Sequence, residues 1–266
     1  MEKNPKKVIK TTTTTTVTTT EEVVDHKLVE THYLLILDES GSMDGLRSVT
    51  INNVNEQIQM IKDLDKKYPD QKYFISLVTF NTEIKERFMD VPAAEMKEIT
   101  KKDYTPNGGT ALRDAMGIGI TKLEDNLRPR MNDKEKIATA VIVVITDGEE
   151  NSSSQWDITK TKNLIERLNK DDKWTISYIG ANQDAILVGS NYGFSMGNTV
   201  NYAATASGTR GVTTSLFNTM SVRADNISAN AYSYQGGDLS NDEFLSAENG
   251  NIKEAKDDAE DNKDNA

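Results

Sequence analysis

Cysteine is absent from this sequence, and histidine occurs only twice, at His26 and His32. The absence of cysteine excludes disulfide bonds and thiolate metal sites. Both histidines precede the first strongly apolar segment, so we expect neither a histidine-based zinc site nor a Ser-His-Asp triad in the main body of the chain. The sequence therefore offers few of the nitrogen and sulfur ligands that zinc prefers.

Long apolar runs are also missing. No stretch approaches the roughly 18 apolar residues of a membrane-spanning helix, so no membrane contact is expected. The first residues, MEKNPKKVIK, are basic but lead into threonines instead of an apolar segment, so we expect no signal peptide. These features favour a cytoplasmic protein, with association with a virus particle as an open alternative.

Basic residues are outnumbered: 31 Lys and Arg stand against 42 Asp and Glu, giving a net charge of −11. Residues 238–264 contribute −7 of this, since they hold ten acids and three lysines. A protein that binds nucleic acid is expected to lean basic. Nucleic acid is therefore not an expected partner.

The apolar residues cluster between about Tyr33 and Ala231, which predicts one folded domain over residues 31–231. Residues 1–30 include the tract TTTTTTVTTT, and residues 232–266 are rich in Gly, Ser, Asn and acids. We expect a disordered N-terminal arm and a disordered C-terminal tail, because neither segment can build a core. Threonine favours strands, so pairing of the arm at a sheet edge is the alternative.

Strand-like and helix-like segments alternate along the predicted domain. The strand-like segments are HYLLILD, KYFISLVTF, IKERFMDV, ATAVIVVITD, WTISYIG and SMGNTVNYA. Helical periodicity covers about residues 46–64, 110–127, 157–169, 182–193 and 209–227, and AAEMKEI is expected to form a further short helix. This alternation predicts an α/β fold: an open, doubly wound, mostly parallel six-stranded sheet with helices on both faces.

Three loops place oxygen-bearing side chains directly after or beside apolar strands. Asp38, Ser40 and Ser42 follow the first strand, Thr110 lies in NGGTAL, and Asp147 closes the most apolar strand. Ligands in an open α/β sheet bind beyond the carboxyl ends of the strands, so these groups can meet there. Two carboxylates and three hydroxyls suit a hard cation, Mg²⁺ above all, with Ca²⁺ or Mn²⁺ possible.

A simpler interpretation treats the same residues as local caps. Asp38 would stabilise a turn, Ser40 or Ser42 would cap the next helix, and Thr110 would be an N-cap. Alternate residues of an extended segment point to one side, however, so D-x-S-x-S can bring its three groups together. The additional oxygens of Thr110 and Asp147 favour the metal site.

DESGS, the threonine of NGGTAL and the TDG after VIVVI resemble, in order and spacing, the metal-ion-dependent adhesion site (MIDAS) of von Willebrand factor type A (VWA) domains. The likeness spans roughly residues 30–230, and DGEENS and YIGANQDA look like small stand-alone bacterial and phage members. The resemblance implies strand order 3-2-1-4-5-6 with one antiparallel edge strand. It also implies that Ser40, Ser42 and Thr110 hold the cation directly, with Asp38 and Asp147 near it or acting through water.

In the family, an acidic side chain of a partner often completes the coordination. We therefore predict a non-catalytic, divalent-metal-dependent protein-binding module whose partner is another protein offering an acidic residue. The predicted partner-binding rim comprises Glu39, Met43, Asp44, Gly109 and Glu149. The acids among these residues are expected to be solvated, and the oligomeric state is not predicted.

Two other functions remain open from the sequence. A Mg²⁺-dependent phosphohydrolase of the haloacid dehalogenase type also begins with an aspartate after an apolar strand, but it needs a second aspartate where this chain has Ser40. A structural or assembly protein, for instance of a phage particle, would use the threonine arm and the acidic tail as tethers.

Overall fold

The computed structural model describes residues 8–11, 20–23, 28–133, 135–181 and 184–229. The predicted tail and most of the threonine tract lie outside these residues. Near the start of the chain, strands β1 (Val8–Thr11) and β2 (Thr20–Val23) form an antiparallel pair. These eight residues of the predicted arm are strand.

The main sheet has six strands: β3 (Leu28–Asp38), β4 (Gln71–Phe80), β5 (Ile84–Pro92), β6 (Lys136–Thr146), β7 (Trp174–Ala181) and β8 (Thr199–Tyr202). Their order is β5-β4-β3-β6-β7-β8, and only the edge strand β5 is antiparallel to its neighbour. The predicted open, mostly parallel sheet, its strand order and its antiparallel edge strand are confirmed.

Among the described residues, five α-helices cover the sheet: α1 (Arg47–Lys67), α2 (Leu112–Met131), α3 (Ile158–Leu168), α4 (Ala185–Asn191) and α5 (Ala206–Ala229). Alternate residues of a strand point to opposite faces. Leu35 and Leu37 accordingly join a core with α1 and α5, whereas Leu34 and Ile36 join a core with α2 and α3. Within the described part of the chain, no helix combines the length and apolarity needed to cross a membrane.

The segment AAEMKEI differs from its prediction. Only Ala93–Glu95 is helical, as one 3-10 turn. The amide N–H of Ile99 donates to the side chain of Asn55, and the side chain of Asn55 donates back to the carbonyl of Ile99. Lys62 donates to the carbonyl of Met96. Contacts with α1 therefore occupy backbone N–H and C=O groups that would otherwise form the hydrogen bonds of a local helix.

A crevice suited to a binding site lies at the centre of the sheet, at the carboxyl ends of β3 and β6. Strand β3 leads into α1 on one face, and β6 leads towards α3 on the other, so the chain departs in opposite directions from two adjacent strands. Such a reversal of strand order leaves a crevice at the carboxyl ends of the strands. Asp38 ends β3 and Asp147 directly follows β6.

Candidate metal centre

Asp38 is fully buried, and both of its carboxylate oxygens accept hydrogen bonds. The amide N–H of Ser40 donates to Oδ1 at 2.7 Å, and the hydroxyl of Thr146 donates to Oδ2 at 2.5 Å. Burial raises the pKa of Asp38 to about 6; these hydrogen bonds oppose the shift, and the nearby charge of Asp147 adds to it. A cation at this place would favour the ionised form of a carboxyl group that its surroundings disfavour.

Ser40, Ser42 and Asp147 form a continuous row of oxygens. The hydroxyls of Ser40 and Ser42 lie 3.0 Å apart, and the Ser42 hydroxyl donates to Asp147 Oδ1 at 2.6 Å. Burial raises the pKa of Asp147, while the hydrogen bond from Ser42 lowers it. The row joins the loop after β3 to the loop after β6.

The surroundings of Gly148 show that the loop carrying Thr110 also reaches this row of oxygens. A Cβ atom at Gly148 would lie 3.1 Å from Thr110 Oγ1, 3.7 Å from Asp38 Oδ2 and 3.8 Å from Ser42 Oγ. Oxygens from two other loops therefore lie beside this glycine, and the hydrogen bond from Ser42 to Asp147 adds an oxygen from the glycine's own loop. The structure thus brings together all five residues that the sequence predicted as metal ligands.

The chemistry of this set fits a hard cation. No group of three or more His, Cys, Asp or Glu suited to a metal occurs among the described residues, so a cation here would depend on hydroxyl ligands. Oxygen donors with only one or two carboxylates are typical of Mg²⁺ sites, in which the ion also keeps water molecules. Because hydroxyl ligands are neutral, most of the cation's charge would stay uncompensated. The cation could therefore bind one more anionic ligand.

Asp38 does stabilise a turn, since it accepts from the amide N–H of Ser40, but the prediction that Ser40, Ser42 or Thr110 caps a helix with its hydroxyl is wrong. Ser40 precedes the 3-10 helix Gly41–Leu46 but makes no capping hydrogen bond with its side chain. The N-cap of α1 is Leu46, and that of α2 is Ala111 instead of Thr110. The hydroxyls of the motif are therefore not used to begin helices.

Two of the predicted rim residues do not lie on the rim. Glu39 and Met43 are 0% and 1% exposed, so neither can contact a partner in this conformation. Asp44 and Glu149 are exposed, and Gly109 is half-buried. The prediction that Glu39 is a solvated loop acid is wrong for the same reason.

Glu39 instead anchors the loop that leads to Thr110. Its carboxylate accepts two hydrogen bonds from Arg87 on β5, at 3.0 and 2.8 Å, and one from the amide N–H of Thr105. Burial alone would raise the pKa of Glu39, but Thr105, Thr79 and Arg87 together hold it below its ordinary value. Sequence reasoning missed this role; its only signal was the pair of basic residues in IKERF.

A second anchor holds the loop after β6. The buried Asp114 carboxylate accepts hydrogen bonds from the backbone N–H groups of Ser154, Gln155 and Trp156. Nearer to Asp147, the carboxylate of Glu150 accepts one from the N–H of Arg113 at 2.9 Å. The first turn of α2 therefore fixes the loop that carries Asp147.

The fold and the group of oxygen-bearing side chains at the sheet edge together indicate one class of protein. Comparison with known protein families identifies that class. The family model of the von Willebrand factor type A domain matches residues 34–190, which is more than half of the chain. The chain therefore belongs to this family. No curated protein matches the sequence.

Three solved structures have folds similar to that of this chain. A von Willebrand factor type A protein from Catenulispora acidiphila is 18% identical, with 63% of this chain and 35% of that one covered at a TM-score of 0.42. The ArnB paralog VWA2 from Sulfolobus acidocaldarius is 16% identical, with 75% and 47% covered at a TM-score of 0.45. Proximal thread matrix protein 1 from the mussel byssus, whose MIDAS motif is occupied by zinc, is 18% identical, with 77% and 46% covered at 0.42. The chain spans less than half the length of these structures.

Proposed function

We propose that this chain is a divalent-cation-dependent protein-binding module. Ser40, Ser42 and Thr110 hold the cation through their hydroxyls, and Asp38 and Asp147 lie beside it or act through water. The observation that carries this proposal is that the oxygens of Thr110, Asp38 and Ser42 meet beside Gly148 while the Ser42 hydroxyl also donates to Asp147. Mg²⁺ is the proposed ion, with Ca²⁺ and Mn²⁺ as alternatives.

The proposed partner is another protein that offers an acidic side chain. A bound cation supplies a coordination position for that carboxylate. Both oxygens of Asp38 already accept hydrogen bonds from within the chain, and the hydroxyl ligands are neutral, so the protein neutralises the ion only in part. Because the protein ligands compensate the cation's charge only in part, the cation favours binding a carboxylate of the partner.

The exposed rim residues Asp44, Glu149 and Gly109 are the proposed contacts around that position. Asp44 and Glu149 carry negative charge at the surface, so they disfavour partners with several acids near the coordinating one. A single carboxylate in a neutral or basic setting is the partner that this rim fits.

The module is proposed to be non-catalytic. A nucleophilic aspartate has to reach its substrate, whereas Asp38 is fully buried and hydrogen-bonded at both oxygens. Ser40 also occupies the position at which a phosphohydrolase of this type needs its general acid. Members of the VWA family are for the most part interaction modules.

A capture experiment tests the proposal. The chain is immobilised and exposed to native lysate in Mg²⁺, in Ca²⁺ or in EDTA, and Asp38→Ala is compared with Asp172→Ala, which changes an exposed acid away from the site. We expect capture that EDTA and Asp38→Ala abolish and that Asp172→Ala leaves unchanged. Capture that ignores both chelation and Asp38→Ala would refute the proposal.

A further inference from the structure

A groove of about 440 Å³ lies between the edge strand β5 and α2, on the face of the sheet that α2 covers. Ile84 and Met89 line it from β5, and Ile118 lines it from α2. All three side chains are half-buried, so the groove offers apolar surface that is open to solvent. Its volume is within the range typical of ligand-binding clefts.

One end of the groove is formed by the loops that carry the metal ligands. Thr82 lines this end, and its hydroxyl oxygen accepts a hydrogen bond at 3.0 Å from the N–H of Gly109, the neighbour of Thr110. Ser154 lines the same end from the loop after β6, which the carboxylate of Asp114 holds against α2. The groove is therefore continuous with the rim of the candidate metal centre.

The groove also carries an unpaired negative charge. Two exposed acids, Glu83 and Glu86, line it from the side of β5. Glu86 forms an ion pair with Lys122 of α2, which joins the two walls. In the described part of the chain, by contrast, no cation pairs with Glu83. Because Glu83 directly follows Thr82, its unpaired carboxylate lies at the end of the groove next to the metal centre.

We propose that this groove binds an extended segment of the partner protein that continues from the metal-coordinating acid. A basic side chain of that segment pairs with Glu83, and an apolar side chain packs among Ile84, Met89 and Ile118. An extended chain advances about 3.3 Å per residue, so a few residues suffice to reach from the metal centre into the groove. The inference rests on the proposed function, because the coordinating acid fixes where the segment begins.

The charges around the site favour this occupant over an acidic or a purely apolar one. Asp44 and Glu149 on the rim disfavour further acids beside the coordinating one, and Glu83 extends that preference into the groove. An apolar segment would cover Glu83 without pairing its carboxylate, which costs free energy. A bound cation for the acid and a carboxylate for the base are anchors of opposite charge, so together they also fix the direction of the segment.

Peptide selection tests the inference without knowledge of the partner. A displayed library of short random peptides is selected on the immobilised full chain in Mg²⁺, and bound peptides are eluted with EDTA. We expect the eluted peptides to share one acid that has Lys or Arg and an apolar residue within about five positions of it. Peptides that share an acid alone would count against the groove.

Charge exchange at Glu83 tests the contact itself, with one selected peptide synthesised as the probe. Glu83→Lys should weaken its binding about tenfold, and replacing the peptide's basic residue by Glu should restore much of that affinity. Ile118→Thr should weaken binding about threefold or more, because apolar contact is lost. Glu98→Lys reverses an exposed acid outside the groove and should leave affinity unchanged. Fluorescence anisotropy measures the affinities, and thermal unfolding verifies that each variant is folded.

The outcomes separate the groove from the proposed function. Peptides that need Mg²⁺ and Asp38 but bind equally to Glu83→Lys and Glu98→Lys would overturn the groove and leave the metal-dependent module standing. A library that yields no Mg²⁺-dependent peptide, or peptides that bind Asp38→Ala as tightly as the wild type, would overturn both.

Discussion

Among the five proposed metal ligands, Ser42 is the one whose residue is exposed. Its hydroxyl bridges Ser40 and Asp147, so Ser42→Ala removes an oxygen from the middle of the row without opening a cavity. We expect cation affinity to fall about tenfold or more and the free energy of unfolding to change by less than about 0.5 kcal/mol. Mn²⁺ titration followed by electron paramagnetic resonance measures the first quantity, and urea unfolding measures the second.

Ser48→Ala is the matched control, because it deletes an exposed serine hydroxyl at the start of α1, away from the row. It should leave Mn²⁺ affinity unchanged. Equal affinities for the Ser42 and Ser48 variants would contradict a role for the Ser42 hydroxyl in holding the ion.

Glu39 illustrates what residue spacing could and could not predict. The alternation of D-x-S-x-S, together with the positions of Thr110 and Asp147 beside strand ends, was enough to predict which oxygens meet. The environment of Glu39 depends on Arg87, 48 residues away on an edge strand, and the direction of that side chain follows from strand pairing. A single sequence contains no rule for such a pairing, so it predicts a solvated acid where the structure has a buried anchor.

Glu39→Gln tests that anchor. The change removes the charge that faces Arg87 and Lys85 and weakens the hydrogen bond from Thr105. Because both basic side chains remain partly exposed, we expect a moderate loss of about 1–3 kcal/mol in the free energy of unfolding. Chemical denaturation measures the loss. Glu56→Gln, at an exposed position of α1, should have no effect, and a similar result for both variants would contradict the anchor.

At the scale of elements, α2 positions the loop of Asp147 through close packing. Gly117 lies on the buried face of α2, where an added Cβ would overlap the ring of Trp156. Gly117→Ala should therefore destabilise the protein by about 1–3 kcal/mol, although alanine favours helices. Thermal unfolding measures the change.

Gly211→Ala on α5 is the opposite case, because no atom lies within 4 Å of the Cβ that it would add. There we expect a gain of about 0.5–1 kcal/mol from helix propensity alone. If both variants gained stability, the contact between Gly117 and Trp156 would not constrain the loop.

The helices and strands themselves were mostly predictable, because their apolar periodicity is strong. The exceptions lie where one element satisfies the backbone of another. Helix α2 begins at Leu112 instead of Thr110, since the amide N–H of Thr110 donates to Asn151 and its carbonyl accepts from Asn151 and Ser152. The segment after Ala93–Glu95 is held by Asn55 in the same way. Local sequence does not reveal these long-range partners.

At the scale of the whole molecule, a charged cluster at the opposite end of the sheet links stability to pH. Glu30 accepts from Lys136 at 2.9 Å and lies 3.4 Å from Arg130. The imidazole of His32, whose Nε2 lies 3.8 Å from Glu30 Oε2, and these two cations together lower the pKa of Glu30 from 4.5 to about 2, against the effect of burial. Because the pKa is lower in the folded state, the ionised carboxylate stabilises the fold above pH 4.5.

That contribution should disappear as pH falls from about 4.5 to about 2, with a loss of up to about 3 kcal/mol. In Glu30→Gln the free energy of unfolding should be lower at neutral pH and should depend less on pH across this window. Urea unfolding at a series of pH values measures both effects. Glu135→Gln, which changes an exposed acid, should retain the wild-type slope; a wild-type slope in Glu30→Gln would contradict the prediction.

The three described hydrophobic clusters all lie between Val29 and Ile227. Burial of apolar surface is the main favourable term in folding, so residues 28–229 should contain what the domain needs. We expect a fragment of these residues to unfold cooperatively, with a free energy within about 1 kcal/mol of the full chain and the same Mn²⁺ affinity. Calorimetry and Mn²⁺ titration of both proteins check this. A fragment that folds but has lost affinity would place a determinant of the metal centre outside the domain, whereas a fragment that fails to fold would show that the terminal segments complete its core.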